Sequence, residues 1–180
     1  MTAMALQLTL AGWAVFELVL RLSERLAGRG GAAHDRGTRA LIGISLGAAI
    51  AIAFVIGSRS AGAYGLGLGA MWLGLALRLW AVAALGRAFR TTVEVDSEQA
   101  VVSTGPYRWV RHPSYSGLLL IVAGCGLAAG GWLALPICTV LALPALLWRV
   151  QVEEAELTSV LGDRYRAYQA RTRRLLPGVW

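Results

Sequence analysis

Apolar residues gather in five long runs along the chain. They cover about 4–22 (MALQLTLAGWAVFELVLRL), 40–57 (ALIGISLGAAIAIAFVIG), 63–86 (AYGLGLGAMWLGLALRLWAVAALG), 114–129 and 132–148. A helix that crosses a bilayer core takes roughly 17–25 residues, so the first three runs fill a span and the last two stand at the short end. Only Gly130-Gly131 separates the fourth run from the fifth, which predicts a tight helical hairpin. The pattern gives an all-α integral membrane protein of about five transmembrane helices.

Composition narrows this further. Of 180 residues, 57% are hydrophobic and 15% charged, whereas a soluble domain carries about 25% charged and 45–50% apolar residues. A cytosolic enzyme and a disordered tail are both excluded, and the length leaves no room for a soluble nucleotide-binding domain beside a membrane anchor. One membrane domain over residues 1–180 remains, with two N-terminal helices in 1–60 and a functional core in 61–180.

The net charge is +7, and every one of its 17 basic residues is arginine. Arginines in a stripe on a soluble surface would point to nucleic acid. Here they lie between apolar runs, so they report topology and anionic headgroups, and no nucleic-acid partner is expected. Arg21, Arg25, Arg29, Arg36 and Arg39 flank the first loop, and Arg87, Arg90, Arg108 and Arg111 fill the third. Arg149, Arg164, Arg166, Arg171, Arg173 and Arg174 belong to the C-terminal region, against Arg59 alone on the other side. The positive-inside rule then puts the N-terminus outside and the C-terminus in the cytoplasm. A multi-pass protein of the plasma or inner membrane is expected in a bacterium, or of the endoplasmic reticulum in a eukaryote. No positive region precedes the first run, so a cleaved signal peptide is not expected. Cys125 and Cys138 lie within apolar runs and read as buried small hydrophobes, with a disulfide between them left open. Their spacing suggests no metal site.

Small residues recur at i, i+4 in Gly43/Gly47, Gly65/Gly69 and Gly126/Gly130, a spacing that lets helices approach closely in lipid. The GLGLG at 65–69 follows no strand, so it is read as helix packing rather than a dinucleotide loop, and no Rossmann domain is expected. The loop 23–39, with His34, says little beyond a solvated connection.

Three groups of residues carry chemistry. In TGPYRWVRHPSYSG (104–117) Gly105-Pro106 marks a turn, and Pro113 suits the first turn of a helix. Such a helix N-terminus attracts anions, with Arg111 and His112 beside it and Tyr107, Trp109 and Tyr115 as flat faces. An interfacial aromatic belt with snorkelling arginines explains the same residues. Second, Glu153, Glu154 and Glu156 follow the fifth run, ahead of an apolar stripe of Leu157, Leu161, Tyr165 and Tyr168. The stripe predicts an amphipathic cytosolic helix along the membrane surface. The acids there either balance arginines or accept hydrogen bonds from a ligand. Third, Arg78 lies inside the third span, where a charge marks a functional site by default. Its alternative is pairing with Glu17, which has Arg21 one turn away as another partner.

Residues 77–177 resemble the isoprenylcysteine carboxyl methyltransferase family of integral-membrane methyltransferases. GPYRWVRHPSYSG is similar to that family's Arg-His-Pro-x-Tyr block, and RVQVEEAELTSVLGDRYRAYQARTRRLLPG to its Glu-Glu…Gly-x-x-Tyr…Arg…Leu-Pro segment. LRLWAVAALGRAF resembles the helix before them, with Arg78 on a family arginine. The resemblance implies a helical bundle that binds S-adenosylmethionine under a cytosolic C-terminal segment. Tyr107, His112 and Tyr115 would meet the methionyl part and the adenine, and Glu153 and Glu154 the ribose and amino group. Arg111 and the helix N-terminus would complement the carboxylate. Arg78 would orient a lipophilic acceptor arriving from the bilayer. A carboxylate acceptor needs only orientation, whereas a phenol also needs a base, for which His112 and the glutamates are the candidates. Prenylated cysteine, isoprenoid acids, phenolic lipids and thiols are all open as acceptors. Two other enzyme classes stay open beside this one: phospholipid amine methylation and an NADPH-dependent sterol reductase-like activity. A non-enzymatic membrane scaffold would explain neither Arg78 nor the acid pair.

Overall fold

The computed structural model describes residues 2–26, 37–57, 60–86 and 101–178. His34, Arg29, Arg36, Arg59, Arg87 and Arg90 lie outside the described residues. The described chain is helical, with a single parallel bridge between Val110 and Arg173. Helices α1 (Thr2–Leu26), α2 (Thr38–Ile56) and α3 (Ala61–Leu85) follow the first three apolar runs, and a 3-10 turn at Gly105–Arg108 leads into α4 (Pro113–Leu161) and the short α5 (Asp163–Gln169). Among the described residues, four helices are thus long and apolar enough to cross a membrane.

The difference from five spans comes from one residue. Helix α4 holds 49 residues but leaves helical geometry at Gly131 (φ 73°, ψ −163°), a conformation that only glycine adopts without strain. There the chain folds back on itself: a Cβ on Gly126 would meet the Ala134 carbonyl at 2.9 Å and the Cys138 sulfur at 3.1 Å. The two arms, 113–130 and 132–161, are the expected hairpin. The second arm runs well past the apolar block, carrying Glu153 and Glu154 on the same rigid helix. Cys125 and Cys138 are buried free thiols, and Cys138 donates to the Ala49 carbonyl at 3.1 Å.

Backbone-to-backbone contact joins α3 to the first arm of α4, antiparallel, at two levels. A Cβ on Gly67 would lie 2.6 Å from the Gly124 carbonyl oxygen, and one on Gly74 would lie 2.6 Å from that of Gly117. The close approach therefore repeats every seven residues. Two of the expected glycine pairs play no part in it, since Gly43, Gly47, Gly65 and Gly69 have nothing within 4 Å of a built Cβ. Gly126 and Gly130 do pack, within the hairpin and against Ala53 of α2. Helix α1 stands further off and joins the core through buried Leu6 and Trp13. Its exposed Leu8, Val15, Leu18, Val19 and Leu22 form an outer face suited to lipid.

The expected amphipathic surface helix is corrected in two ways. Gly162 (φ 56°) breaks it, leaving α4 on one side and α5 on the other. Leu161, Tyr165 and Tyr168 are buried together against Val101, Leu157 and Val160, so the chain itself covers the stripe.

Candidate active site

The end of the bundle opposite Gly131 is built from three stretches distant in sequence. The turn 105–108 delivers the chain to the start of α4. Residues 172–175 then run beside 109–112 as a strap, with Arg111 N–H donating to the Arg173 carbonyl at 2.7 Å and His112 N–H to that of Arg174 at 3.0 Å. The Arg173 N–H returns a bond to the Trp109 carbonyl at 3.1 Å, and Ser116 Oγ donates to the Leu175 carbonyl. Tyr168 pins the same turn by donating to the Tyr107 carbonyl at 2.6 Å.

Glu154, 6% exposed, is the centre of a polar knot. Its Oε1 accepts from Arg111 Nε at 2.7 Å and lies 3.3 Å from His112 Nε2, and its Oε2 accepts from Arg174 Nε at 3.0 Å. Arg111 also donates from Nη1 to the carbonyls of Gln169 and Thr172, so its guanidinium ties α4, α5 and the strap together. Glu153 holds the other side. Its Oε2 lies 3.4 Å from His112 Nδ1, and its Oε1 accepts from the Tyr115 hydroxyl at 3.0 Å. The His112 and Tyr115 rings stack with centroids 5.8 Å apart.

His112 therefore sits between two carboxylates. Burial disfavours its charged form, but the hydrogen bonds and charges of Glu153 and Glu154 together outweigh burial and hold its pKa above the usual 6.5. Of the two readings of the acids, the structure shows charge balance: Glu154 meets Arg111 and Arg174, and both acids meet His112. Such long-range pairing has no signature in local spacing.

Tyr107 lies buried with its hydroxyl facing no hydrogen-bond partner among the described residues. Burial pushes its pKa well up, so the phenol stays protonated. An orphaned buried hydroxyl of this kind calls for a ligand atom.

Sequence reading missed Arg149 and Thr38. Arg149 is 1% exposed and donates from Nε to the Tyr115 hydroxyl at 3.0 Å and from Nη1 to Thr38 Oγ1 at 2.8 Å; its Nη2 lies 3.6 Å from Glu153. It had been counted only as a topological charge. The i, i+4 relation to Glu153 was the available signal.

Arg78 stands deeper in the bundle. Its Nε and Nη2 donate to the two oxygens of Glu17 at 2.6 and 2.8 Å. Its Nη1 donates to the hydroxyl and carbonyl of Ser114, the residue between Pro113 and Tyr115. Glu17 pairs with Arg78 across the bundle, and Trp13 Nε1 donates to the same carboxylate at 3.0 Å.

Comparison with known proteins places this geometry. The family model for isoprenylcysteine carboxyl methyltransferases matches residues 66–159, which hold Arg78, Tyr107, Arg111, His112, Tyr115, Glu153 and Glu154. The protein-S-isoprenylcysteine O-methyltransferase of Schizosaccharomyces pombe is 31% identical over 104 residues, 57% of this chain and 44% of that protein. The enzyme of the same name from Tribolium castaneum is 32% identical over 106 residues, 58% of this chain and 38% of that one. The chain thus spans less than half the length of these two relatives. The solved structure of the eukaryotic intramembrane Ras methyltransferase, an isoprenylcysteine carboxyl methyltransferase, shares the fold with a TM-score of 0.69. That likeness covers 93% of this chain and 64% of the other at 24% identity. More than half of the chain, including the whole acid–histidine–tyrosine knot, answers to one family pattern, and the chain belongs to the isoprenylcysteine carboxyl methyltransferase family.

Proposed function

We propose that the protein transfers a methyl group from S-adenosylmethionine to an oxygen of a lipophilic acceptor carried in the membrane. The observation behind this reading is the polar knot at one end of an apolar bundle, with the orphaned Tyr107 hydroxyl beside it. The residues fit the cofactor. Glu153 and Glu154 accept hydrogen bonds and suit its ammonium and hydroxyls, while Tyr107 and the stacked His112–Tyr115 rings suit its flat and polar parts. Arg111 serves the same site through the carboxylate and the strap that it holds.

When bound, the cofactor supplies a sulfonium methyl group open to in-line displacement, so the protein's task is to orient the acceptor and exclude water. Two carboxylates shift His112 toward its protonated form, the form that cannot take up a proton. An acceptor that is already anionic needs no base. The site thus favours a carboxylate, as on an isoprenylcysteine or an isoprenoid acid, over a phenol. Arg78, nearer the lipid-facing bundle, orients that oxygen.

The arginine distribution supports a cytoplasmic location for the site end. Reporter fusions at Gly130-Gly131 and after the strap should report opposite sides, and a cytoplasmic signal at Gly130 would reverse the assignment. Thermal unfolding in detergent tests the cofactor: S-adenosylhomocysteine should stabilise the protein and NADPH should not. The opposite result would favour a reductase. Arg78→Ala should lower methyl transfer by about tenfold or more with cofactor affinity nearly intact, and Arg78→Lys should recover part of it. Full activity in Arg78→Ala would remove Arg78 from the acceptor site.

A further inference from the structure

We infer that Glu17, on α1 and outside the segment that carries the family pattern, is a positioning residue for the acceptor and acts through Arg78. The inference rests on the acceptor role proposed above for Arg78. A guanidinium has five N–H groups. In Arg78 the Nε–H and one Nη2–H go to the two oxygens of Glu17, and both Nη1 hydrogens go to Ser114. One Nη2–H remains, without an acceptor among the described residues. Two walls thus fix the plane of the guanidinium, and one directed donor is left over.

Both walls are themselves held. Trp13 Nε1 donates to Glu17 Oε1, which fixes the carboxylate from its own helix. Ser114 lies in the first turn of α4, between His112 and Tyr115 of the polar knot. The order Trp13–Glu17–Arg78–Ser114 therefore links α1 to the start of the catalytic helix. Arg78 is 5% exposed and the Glu17 side chain 16% exposed, so water competes little for either. A lone arginine on such a helix would turn its long side chain toward the polar interface. Glu17 keeps it inward.

The pairing also changes what Arg78 offers. With its charge balanced by Glu17, the guanidinium selects an acceptor by the direction of one hydrogen bond more than by net attraction. Helix α1 otherwise meets the core mainly through apolar Leu6 and Trp13, so this ion pair brings it into the acceptor's path.

The test uses the full chain in detergent micelles with an N-acetylated S-isoprenylcysteine as acceptor. Glu17→Gln should raise the acceptor KM or lower kcat/KM by about tenfold, while S-adenosylhomocysteine affinity stays within about twofold. Glu17→Asp keeps the two-oxygen fork and should recover most of the loss. Should Glu17→Gln not fold, Trp13→Phe keeps an aromatic ring, loosens the carboxylate and should raise the acceptor KM by about threefold with cofactor affinity unchanged. A folded Glu17→Gln protein with wild-type kinetics overturns the inference. So does a folded one that loses cofactor affinity along with turnover, or a Trp13→Phe protein with wild-type acceptor KM, since Glu17 would then serve the fold alone. Wild-type protein that binds no S-adenosylhomocysteine and methylates nothing overturns the proposed function itself, and the inference with it.

Discussion

The seam between α3 and the first arm of α4 and the knot at the site end are both tightly closed, by opposite means. At the seam the two backbones touch because nothing stands between them: Gly67 meets Gly124 and Gly74 meets Gly117. At the knot, long side chains from α4, the strap and the 109–112 segment converge on two carboxylates. The seam tolerates no added atom. The knot tolerates no missing one. A helical membrane protein with a polar end needs both, because lipid offers no hydrophobic drive between helices, while charges buried near its edge are costly unless satisfied.

Removing the centre of the knot should do the most damage. Glu154→Ala takes away the carboxylate that Arg111, Arg174 and His112 share, and should cost about 3–5 kcal/mol of stability. Thermal unfolding in detergent reads this, and Glu154→Gln should fall between the two. An unfolding temperature like that of wild type in Glu154→Ala would show that solvent already shares those groups.

Next comes the seam. Gly117→Ala puts a methyl group 2.6 Å from the Gly74 carbonyl oxygen, an overpacking expected to cost about 1–3 kcal/mol. Cofactor affinity in the protein that still folds should drop as well, since Gly117 lies between Tyr115 and the rest of the arm. An unchanged melting curve would mean that the helices slide apart at little cost.

A smaller effect separates the two regions by pH. The folded pKa of His112 is raised, so its charged form contributes stability that is fully present below about 6.5 and is lost as pH rises through the elevated value. Unfolding temperature should therefore decline across that window in wild type and lose that component in His112→Gln. The seam has no titrating group, and Gly117→Ala should keep the wild-type pH slope. The smallest loss belongs to Gly65→Ala, whose Cβ meets nothing within 4 Å; helix propensity alone should leave it equal to or up to about 1 kcal/mol above wild type, and a clear loss of stability would reveal a partner at that face.

The two regions were also unequally legible. Apolar runs gave the helices and the Gly130-Gly131 hairpin because span length and turn chemistry are local properties. The seam was not legible in register: i, i+4 spacing selected Gly65/Gly69, while contact runs through Gly67 and Gly74, since spacing says which residues share a face and not which face meets a neighbour. At the knot, several of the residues that meet there were singled out through their types and their motif, Arg-His-Pro-x-Tyr and Glu-Glu among them. Part of what joins them was hidden, because the bonds from Arg149 to Thr38 and Arg111 to Thr172 each bridge separate helices or segments; the Arg78–Glu17 pair, by contrast, was one of the two readings the sequence offered for Arg78, and the structure forms it. The amphipathic stripe at 157–168 misled for a related reason. A face that periodicity marks as apolar can be covered by protein as well as by lipid, and here Val101 and Val160 pack against it.

The strap carries a consequence for the order in which the protein is made. Residues 172–175 leave the ribosome after both arms of the hairpin, yet they supply the carbonyls that receive Arg111 and His112 and the guanidinium that completes Glu154. A chain that stops short of the strap thus leaves Glu154 without the Arg174 guanidinium and the Arg111 and His112 amides without their carbonyl acceptors. Closure of the charged end is therefore the last step that the order of synthesis allows.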